Sequence, residues 1–167
     1  MSPLLAAMTS LGVLGALDTY LTATLLPVPV WVTFIAWASF FACGGGKAGL
    51  IKSVASNWTG ILIASLTLLI IEMGPAQPIF AAILVGLGTS AMILVSSFRL
   101  LNFPPAIVFG FASLVGTGAA GGTTITGTSG ISHPTVVAMV AMLLGALFGL
   151  ISELGTHVLT AKAPVAA

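Results

Sequence analysis

The sequence predicts an all-α polytopic membrane protein with six transmembrane helices. The chain has 167 residues, of which 58% are hydrophobic and only 4% are charged. A water-soluble domain carries about a quarter of its residues as Asp, Glu, Lys and Arg, because its surface must face water. At about 20 apolar residues for each helical crossing, the length holds six helices and leaves no room for an extramembrane domain. Residues 1–167 are therefore expected to form a single transmembrane domain.

Six apolar runs, separated at glycine, proline and charged residues, are the expected membrane helices. Backbone groups in lipid must bond within their own segment, and the runs show no alternation of period two, so helices are favoured over barrel strands. The second and fifth runs are short, and glycine clusters follow both, which predicts short helices interrupted by glycine. The six runs are residues 4–26, 28–43, 58–73, 78–98, 104–118 and 134–159.

The basic residues predict the orientation. With six crossings, Lys47 and Lys52 fall between the second and third helices, Arg99 between the fourth and fifth, and Lys162 after the sixth. All four therefore lie on one side. The positive-inside rule makes that side cytoplasmic and places both termini there. The start of the chain lacks the basic leader of a secretory signal, so we expect it to be the first membrane helix.

The two halves of the chain resemble each other. Residues 36–42 and 110–116 share the order small, aromatic, Ala, Ser, bulky, bulky, small; each follows a proline-marked entry and precedes a glycine cluster. Because each half would hold an odd number of crossings, residues 4–74 and 78–160 are predicted to be inverted three-helix repeats, as in many transporters and channels. The alternative is that two spans rich in Ala, Gly and Ser align by composition alone.

Asp18 is the most informative single residue. It lies about two-thirds of the way along the first predicted helix, where a charged side chain costs about 3 kcal/mol on insertion scales and should face the bundle interior. One interpretation is a cation or proton site, or an acceptor for the N–H groups of a solute. The other is a protonated carboxyl that joins two helices. The repeat makes Thr89 the approximate counterpart of Asp18.

Aromatic residues and glycines complete the predicted pathway. Phe34, Trp37 and Phe41 repeat at helical spacing and form a stripe that is either a narrow apolar constriction or a helix-packing surface. The glycine clusters after the short helices can expose backbone to a solute or let helices approach closely. The predicted pathway residues are Asp18, Trp37, Phe41, Gly44, Gly45, Thr89, Gly116 and Gly118.

Few other residues could carry chemistry. Glu153 and His157 share a face of the last helix and are either a proton relay or gate at the cytoplasmic mouth or an interfacial pair at a helix end. Glu72 and His133 fall near the outer surface and are interpreted as hydrated end residues. The single Cys43 is expected to pack in apolar surroundings, and no His, Cys and carboxylate spacing is typical of a metal site.

These features favour a small-solute channel or transporter for a neutral polar or cationic solute such as urea, an amide or an amine. The alternative is a non-catalytic accessory or assembly subunit of a membrane complex. No enzyme activity, cofactor, metal or nucleic-acid partner is expected. The lipid bilayer and a small solute are the expected partners, and the many small residues favour a homo-oligomer such as a trimer.

Several segments resemble a known family. They are residues 37–44 (Trp-Ala-Ser-Phe-Phe-Ala-Cys-Gly), Lys47, residues 53–60, and the later Phe-Pro-Pro at 103–105 and Phe-Gly-Phe-Ala at 109–112. They are similar to the bacterial inner-membrane proteins grouped under domain of unknown function 1097. The resemblance implies a small multi-span protein of the bacterial inner membrane and assigns no role to any residue. The stretch at 121–132, rich in Thr and Gly, is an elaboration that we expect to be a flexible outer loop or a re-entrant segment.

Overall fold

The computed structural model describes residues 1–161, and within them the chain forms six α-helices and no strand. The helices are α1 (Pro3–Thr24), α2 (Val30–Ala42), α3 (Gly46–Met73), α4 (Pro78–Val95), α5 (Pro104–Gly121) and α6 (Pro134–Ala161). Single 3-10 turns at Arg99–Leu101 and Gly130–Ser132 lie in the connections before α5 and α6. The prediction of an all-helical chain is confirmed. Lys162, which entered the orientation argument, lies outside the described residues.

Proline and glycine set the helix boundaries. Proline stands in the first turn of α1, α4 and α5, where the missing N–H has no helical partner to lose. Three consecutive glycines, Gly44, Gly45 and Gly46, have φ values of 101°, 67° and 59°. Side chains disfavour this left-handed region, so these glycines allow the tight turn from α2 into α3.

Two predicted boundaries were wrong. The third helix was expected to begin at residue 58, but α3 begins at Gly46, because Lys47 and Lys52 interrupt the apolar pattern without interrupting the backbone hydrogen bonds. The fifth helix was expected to end at residue 118, in the glycine cluster, but α5 continues through Gly116 and Gly118 to Gly121. Glycine lowers helix propensity by about 1 kcal/mol in water, whereas in lipid the backbone has few alternatives to helical bonding.

Five of the described helices, all except α2, are long and apolar enough to cross a membrane. Helix α2 has 13 residues and is apolar throughout except for Thr33 and Ser39. The described part of the chain therefore has the architecture of a multi-pass membrane protein.

Two helix pairs form the centre of the bundle: α3 packs along α5, and α2 packs along α6. Glycine allows both close approaches. A side chain at Gly60 would collide with the backbone carbonyl of Ile107, and a side chain at Gly145 would collide with that of Thr33. Helix α1 packs mainly against α6, and α4 mainly against α3. Both leave most of their apolar side chains exposed, as lipid-facing helices do.

Contacts between distant segments define the two ends of the bundle. At one end the Lys52 ammonium lies 5.8 Å from the centre of the Phe103 ring, so that α3 and α5 begin side by side. We call this the basic end, since Lys47, Lys52 and Arg99 lie in the helix starts and connections there. At the other end, which we call the loop end, Glu72 of α3 contacts the connection that joins α5 to α6.

Candidate functional site

A ring of three buried polar side chains lies where α2 packs against α3. Ser39, Ser53 and Asn57 are each 0% exposed. The Asn57 amide donates to the Ser53 hydroxyl at 3.2 Å, Ser53 donates to Ser39 at 2.9 Å, and Ser39 donates to the Asn57 carbonyl oxygen at 3.1 Å. We call these three residues the polar cluster. Their hydrogen bonds close on one another, which offsets the cost of burying them.

Two further buried hydroxyls, those of Ser56 on α3 and Ser113 on α5, have no hydrogen-bond partner. An unpaired buried polar group costs about 1–3 kcal/mol, so most such groups have a partner. Ser113 occupies the same place in residues 110–116 as Ser39 does in residues 36–42. Both serines are fully buried, and the helices α2 and α5 that carry them contact each other.

The polar cluster extends toward the basic end through Cys43. The Cys43 thiol is half-buried in the connection between α2 and α3 and hydrogen bonds with the Ser39 hydroxyl. Burial raises the pKa of this thiol, and the Lys52 charge and the Ser39 hydrogen bond offset only part of that rise. The expectation of simple apolar packing for Cys43 is thus incomplete, because its neighbours are polar.

Asp18 is fully buried where α1 meets α2, at 0% exposure. One carboxyl oxygen, Oδ2, lies 2.5 Å from the Thr33 hydroxyl, which is also 2.7 Å from the backbone oxygen of Val30. The other carboxyl oxygen has no hydrogen-bond partner. The structure thus places Asp18 in the bundle interior, and its described polar contact is with an uncharged side chain.

The aromatic stripe on α2 is divided between the interior and the surface. Trp37 is 6% exposed, stacks on Phe148 of α6 with ring centres 5.9 Å apart, and donates its indole N–H to the Ser152 hydroxyl at 3.0 Å. Phe34 and Phe41 are 46% and 41% exposed. The three rings line a shallow, almost wholly apolar cavity of 240 Å³. Trp37 is therefore held by packing and a hydrogen bond between α2 and α6.

Glu153 lies directly against the glycine turn between α2 and α3. Its carboxylate accepts a hydrogen bond from the backbone nitrogen of Gly46 at 2.7 Å, and a side chain at Gly45 would collide with it. A carboxylate at a helix N-terminus is favourable because of the helix dipole. His157, the other predicted gate residue, is exposed on the next turn of α6. Glu153 and His157 line one cavity of 310 Å³ together with Phe41.

Glu72 fastens the connection between α5 and α6 at the loop end. Its carboxylate oxygens accept hydrogen bonds from the backbone nitrogens of Ile125 and Thr126 and from the Thr126 hydroxyl, each at 2.8 Å. His133 adds a hydrogen bond between its Nε2 and the Ile125 carbonyl at 3.1 Å. The interpretation of Glu72 and His133 as simply hydrated end residues was therefore incomplete, since both hold this connection in place.

A cavity of 440 Å³ lies at the loop end, where the α1–α2 connection approaches α5 and the start of α6. Pro27 and Pro29 line it from the α1–α2 connection, and Thr117 lines it from α5. The Thr117 hydroxyl donates to the backbone oxygen of Ser113, one turn earlier on the same helix. The cavity thus contacts α5 one helical turn from Ser113, whose hydroxyl does not line it.

The structure brings some of the predicted pathway residues together and separates others. Asp18 and Trp37 are brought to the same side of α2. Asp18 bonds to Thr33, and Thr33 lies one helical turn before Trp37. Thr89 is exposed on α4, bonds to the Val85 carbonyl within that helix, and belongs to a helix that packs mainly on α3 and α5. It is not brought to Asp18.

The four predicted glycines lie in two different environments. Gly44 and Gly45 lie in the tight turn after α2, where Gly44 is exposed and Gly45 is buried beneath Glu153. Gly116 lies inside α5 against the ring of Trp31, and Gly118 accepts backbone hydrogen bonds from Gly122 and Thr123. The backbone at Gly116 and Gly118 is thus used in helix formation and packing.

Sequence reasoning missed the polar cluster. Ser53 and Asn57 are spaced one helical turn apart, but they were expected in the connection before the third helix, so their common face was not considered. Ser39 was noted only as part of the repeat. The available signal was a pair of small polar residues at a four-residue spacing just before a long apolar run.

The fold and the buried polar contacts define the class as a helical multi-pass membrane protein with a hydrogen-bonded interior. The chain belongs to the family described as protein of unknown function (DUF1097), which matches residues 8–157. It is also similar to the uncharacterized protein YahC of Escherichia coli strain K12, with 30% identity over 129 residues, covering 74% of this chain and 70% of that protein. No solved structure matches the chain. The resemblance to this family predicted from the sequence is confirmed.

Proposed function

We propose that this protein is a channel or transporter for a small, neutral, polar solute, and that the polar cluster is the central point of its pathway. The observation that carries the proposal is the buried arrangement of Ser39, Ser53 and Asn57, with Ser113 unpartnered on the neighbouring α5. Polar side chains inside a membrane bundle face its interior and often mark the route of a solute. Interhelical hydrogen bonding alone would explain the ring, but it leaves the Ser113 hydroxyl without a role.

The chemistry of the cluster favours a neutral solute over a cation. The three side chains offer hydroxyl and amide groups, which both donate and accept hydrogen bonds, and they offer no charge. Asp18, which would favour a cation, is bonded to Thr33, six residues before Ser39 on α2, and has no hydrogen bond to the polar cluster. A solute of amide type, which carries both donors and acceptors, therefore fits the cluster better than an amine.

Polar residues continue from the cluster toward both ends. On α2, Ser39 and Cys43 are one turn apart, and Cys43 lies toward the basic end. On α5, Ser113 and Thr117 are one turn apart, and Thr117 lines the cavity at the loop end. We infer that a solute entering this cavity would pass Thr117 and Ser113, then the polar cluster, and leave near Cys43.

We further propose that the six helices cross the membrane as two inverted repeats, residues 4–74 and 78–160. The packing supports this. The third helix of each repeat lies along the second helix of the other repeat: α3 along α5, and α6 along α2. The close contacts are also alike: Gly60 meets Ile107, and Gly145 meets Thr33. Ile107 and Thr33 each lie three residues before the aligned segments, 110–116 and 36–42 respectively. If the two repeats are exchanged, the part of the route along α2 corresponds to the part along α5.

The proposed orientation places the basic end in the cytoplasm of a bacterial inner membrane, with both termini on that side. Lys47, Lys52 and Arg99 at this end support it through the positive-inside rule. A homo-oligomer, such as a trimer, would cover part of the exposed apolar surfaces of α1 and α4.

Solute flux into proteoliposomes tests the proposal. Purified protein in vesicles should accelerate the entry of a short amide over protein-free vesicles, and Asn57→Leu should reduce this flux by about tenfold, the effect of about 1.4 kcal/mol from one lost hydrogen bond. Ser39→Ala should also reduce it, whereas Ser90→Ala, which removes an exposed hydroxyl on α4, should not. Flux equal to that of empty vesicles for amides, amines, short acids and water would contradict the proposal and favour the accessory-subunit alternative.

A further inference from the structure

Asp18 differs from the other carboxyl groups of the described chain in how it is compensated. Glu72 and Glu153 each accept hydrogen bonds from backbone nitrogens. Asp18 is 0% exposed, accepts no backbone hydrogen bond through its side chain, and leaves its Oδ1 without a partner. A bare carboxylate in such a place loses its hydration and gains few hydrogen bonds and no ion pair in exchange, so its burial is unfavourable.

The charged groups of the neighbouring elements do not compensate Asp18. Helices α6 and α2 pack against α1, and α2 carries no titratable side chain. On α6, Glu153 and His157 lie toward the basic end, and His133, just before α6, bonds with Ile125 in the α5–α6 connection. Tyr20, on α1 itself, is 64% exposed. The lysines and the arginine of the described residues lie at the basic end, whereas Asp18 lies in the half of α1 nearer the loop end.

When Asp18 is ionised, the side chains supply one proton for two short contacts between oxygen atoms. The Thr33 hydroxyl has a single proton, but it has two acceptors in range, Asp18 Oδ2 at 2.5 Å and the Val30 carbonyl at 2.7 Å. A proton on Oδ2 resolves the conflict. Asp18 then donates to Thr33, and Thr33 donates to Val30, with both distances in the range of ordinary O–H···O bonds.

We propose that Asp18 is a proton-binding site, neutral in this conformation, and that its proton holds α1 against the start of α2. Release of the proton to water leaves a carboxylate that competes with Val30 for the Thr33 hydroxyl. The connection between these two helices contributes Pro27 and Pro29 to the cavity at the loop end. On the proposed function, on which this step rests, protonation of Asp18 therefore controls the outer mouth of the pathway.

Infrared difference spectroscopy tests the proton directly and does not depend on transport. Wild-type protein in vesicles should show a protonated carboxyl C=O band that is absent from Asp18→Asn and retained in the matched control Glu72→Gln. In Thr33→Val, which keeps the carboxyl but removes its partner, the band should persist and shift to higher frequency. A wild-type spectrum without any band that Asp18→Asn removes, at acidic as well as alkaline pH, would overturn the proposal.

Flux measurements separate this inference from the proposed function. If the inference holds, amide flux changes with pH in wild type as the Asp18 band is lost, and Asp18→Asn removes that pH dependence. An Asp18 band in a protein that conducts no solute would support the proton site and refute the transport function. Flux whose pH dependence is the same in wild type and in Asp18→Asn would refute the control of the mouth by Asp18 while leaving transport intact.

Discussion

The Glu153 carboxylate on α6 accepts a hydrogen bond from the backbone nitrogen of Gly46, the first residue of α3, at 2.7 Å. A similar relationship exists at the loop end, where Glu72 near the end of α3 accepts hydrogen bonds from the connection before α6. Glu72, in the last turn of α3, thus fastens the connection before α6, and Glu153, eight residues before the end of α6, fastens the start of α3. Both contacts join equivalent elements of the two proposed repeats, but the two carboxylates are not at equivalent positions, because matching Gly60 to Gly145 places His157 opposite Glu72.

Replacement of Glu153 should destabilise the protein through the start of α3. Glu153→Ala removes a charged hydrogen-bond acceptor from a helix N-terminus, which typically costs about 1 kcal/mol. Glu153→Gln keeps an oxygen acceptor and should cost less. The midpoint of unfolding in mild detergent measures both, with His157→Ala on the next turn as the control. Equal midpoints for Glu153→Ala and His157→Ala would contradict this prediction.

Substitution of the crossing glycines should separate the central helix pairs. Gly60→Ala and Gly145→Ala place a methyl group against a backbone carbonyl that cannot move independently, so each should cost at least about 1–3 kcal/mol. Gly86→Ala on α4 meets no neighbouring atom and should be neutral or slightly stabilising, because alanine favours a helix. Denaturant titration in mixed micelles ranks the three variants. A Gly86→Ala protein as unstable as the other two would show that the crossings are not the cause.

Accessibility of introduced cysteines should distinguish the two ends of the bundle. In a background with Cys43→Ala, Lys47→Cys at the basic end and Ser129→Cys at the loop end are both exposed positions. A membrane-impermeant maleimide added to intact cells should label only Ser129→Cys, and labelling of Lys47→Cys should require inverted vesicles. Labelling of both from one side would refute the six-crossing topology.

Reaction of the native Cys43 should depend on pH in a way set by its surroundings. Because the thiolate is the nucleophile and burial raises the pKa of this thiol above its usual value, maleimide labelling should be slow at neutral pH and continue to accelerate above the pH at which ordinary cysteines reach their plateau. Lys52→Gln removes a nearby positive charge that lowers this pKa, so its curve should shift to still higher pH. A Lys52→Gln curve displaced to lower pH would contradict the assignment.

Most helices were predictable because the membrane imposes the pattern that sequence reasoning detects. A continuous apolar run has to bond its backbone internally, which makes it a helix. The start of α3 was missed because Lys52 interrupts the apolar run, and the segment was therefore interpreted as a connection. The Lys52 side chain lies near the end of the bundle, and its backbone remains helical. Gly118 misled in the same way, because glycine composition is a weaker constraint than unsatisfied backbone in lipid.

The candidate site was only partly predictable, since its contacts depend on how helices meet. The burial of Asp18 followed from the cost of its charge, but its partner Thr33 depends on the closeness of α1 and α2. Thr89 was paired with Asp18 through an alignment of α1 with α4 that rests on small and apolar residues, and such an alignment does not fix which side of α4 faces inward. The ring formed by Ser39 and Asn57 required the position of α2 against α3, which no local pattern contains.

Because the helices differ in length, the stability of the bundle is expected to depend on the thickness of the surrounding bilayer. Helix α2, with 13 residues, is about 20 Å long, whereas α3 and α6, with 28 residues each, reach about 42 Å, against a hydrocarbon thickness of about 30 Å. On the proposed six-crossing topology, the non-helical backbone at each end of α2 lies at a depth where only surrounding protein or trapped water can solvate it. Short acyl chains reduce the mismatch at α2 and long ones increase it, whereas the long helices α3 and α6 can accommodate a thin bilayer by tilting. The bundle is consequently expected to be most stable in thin bilayers and to lose stability as the acyl chains lengthen.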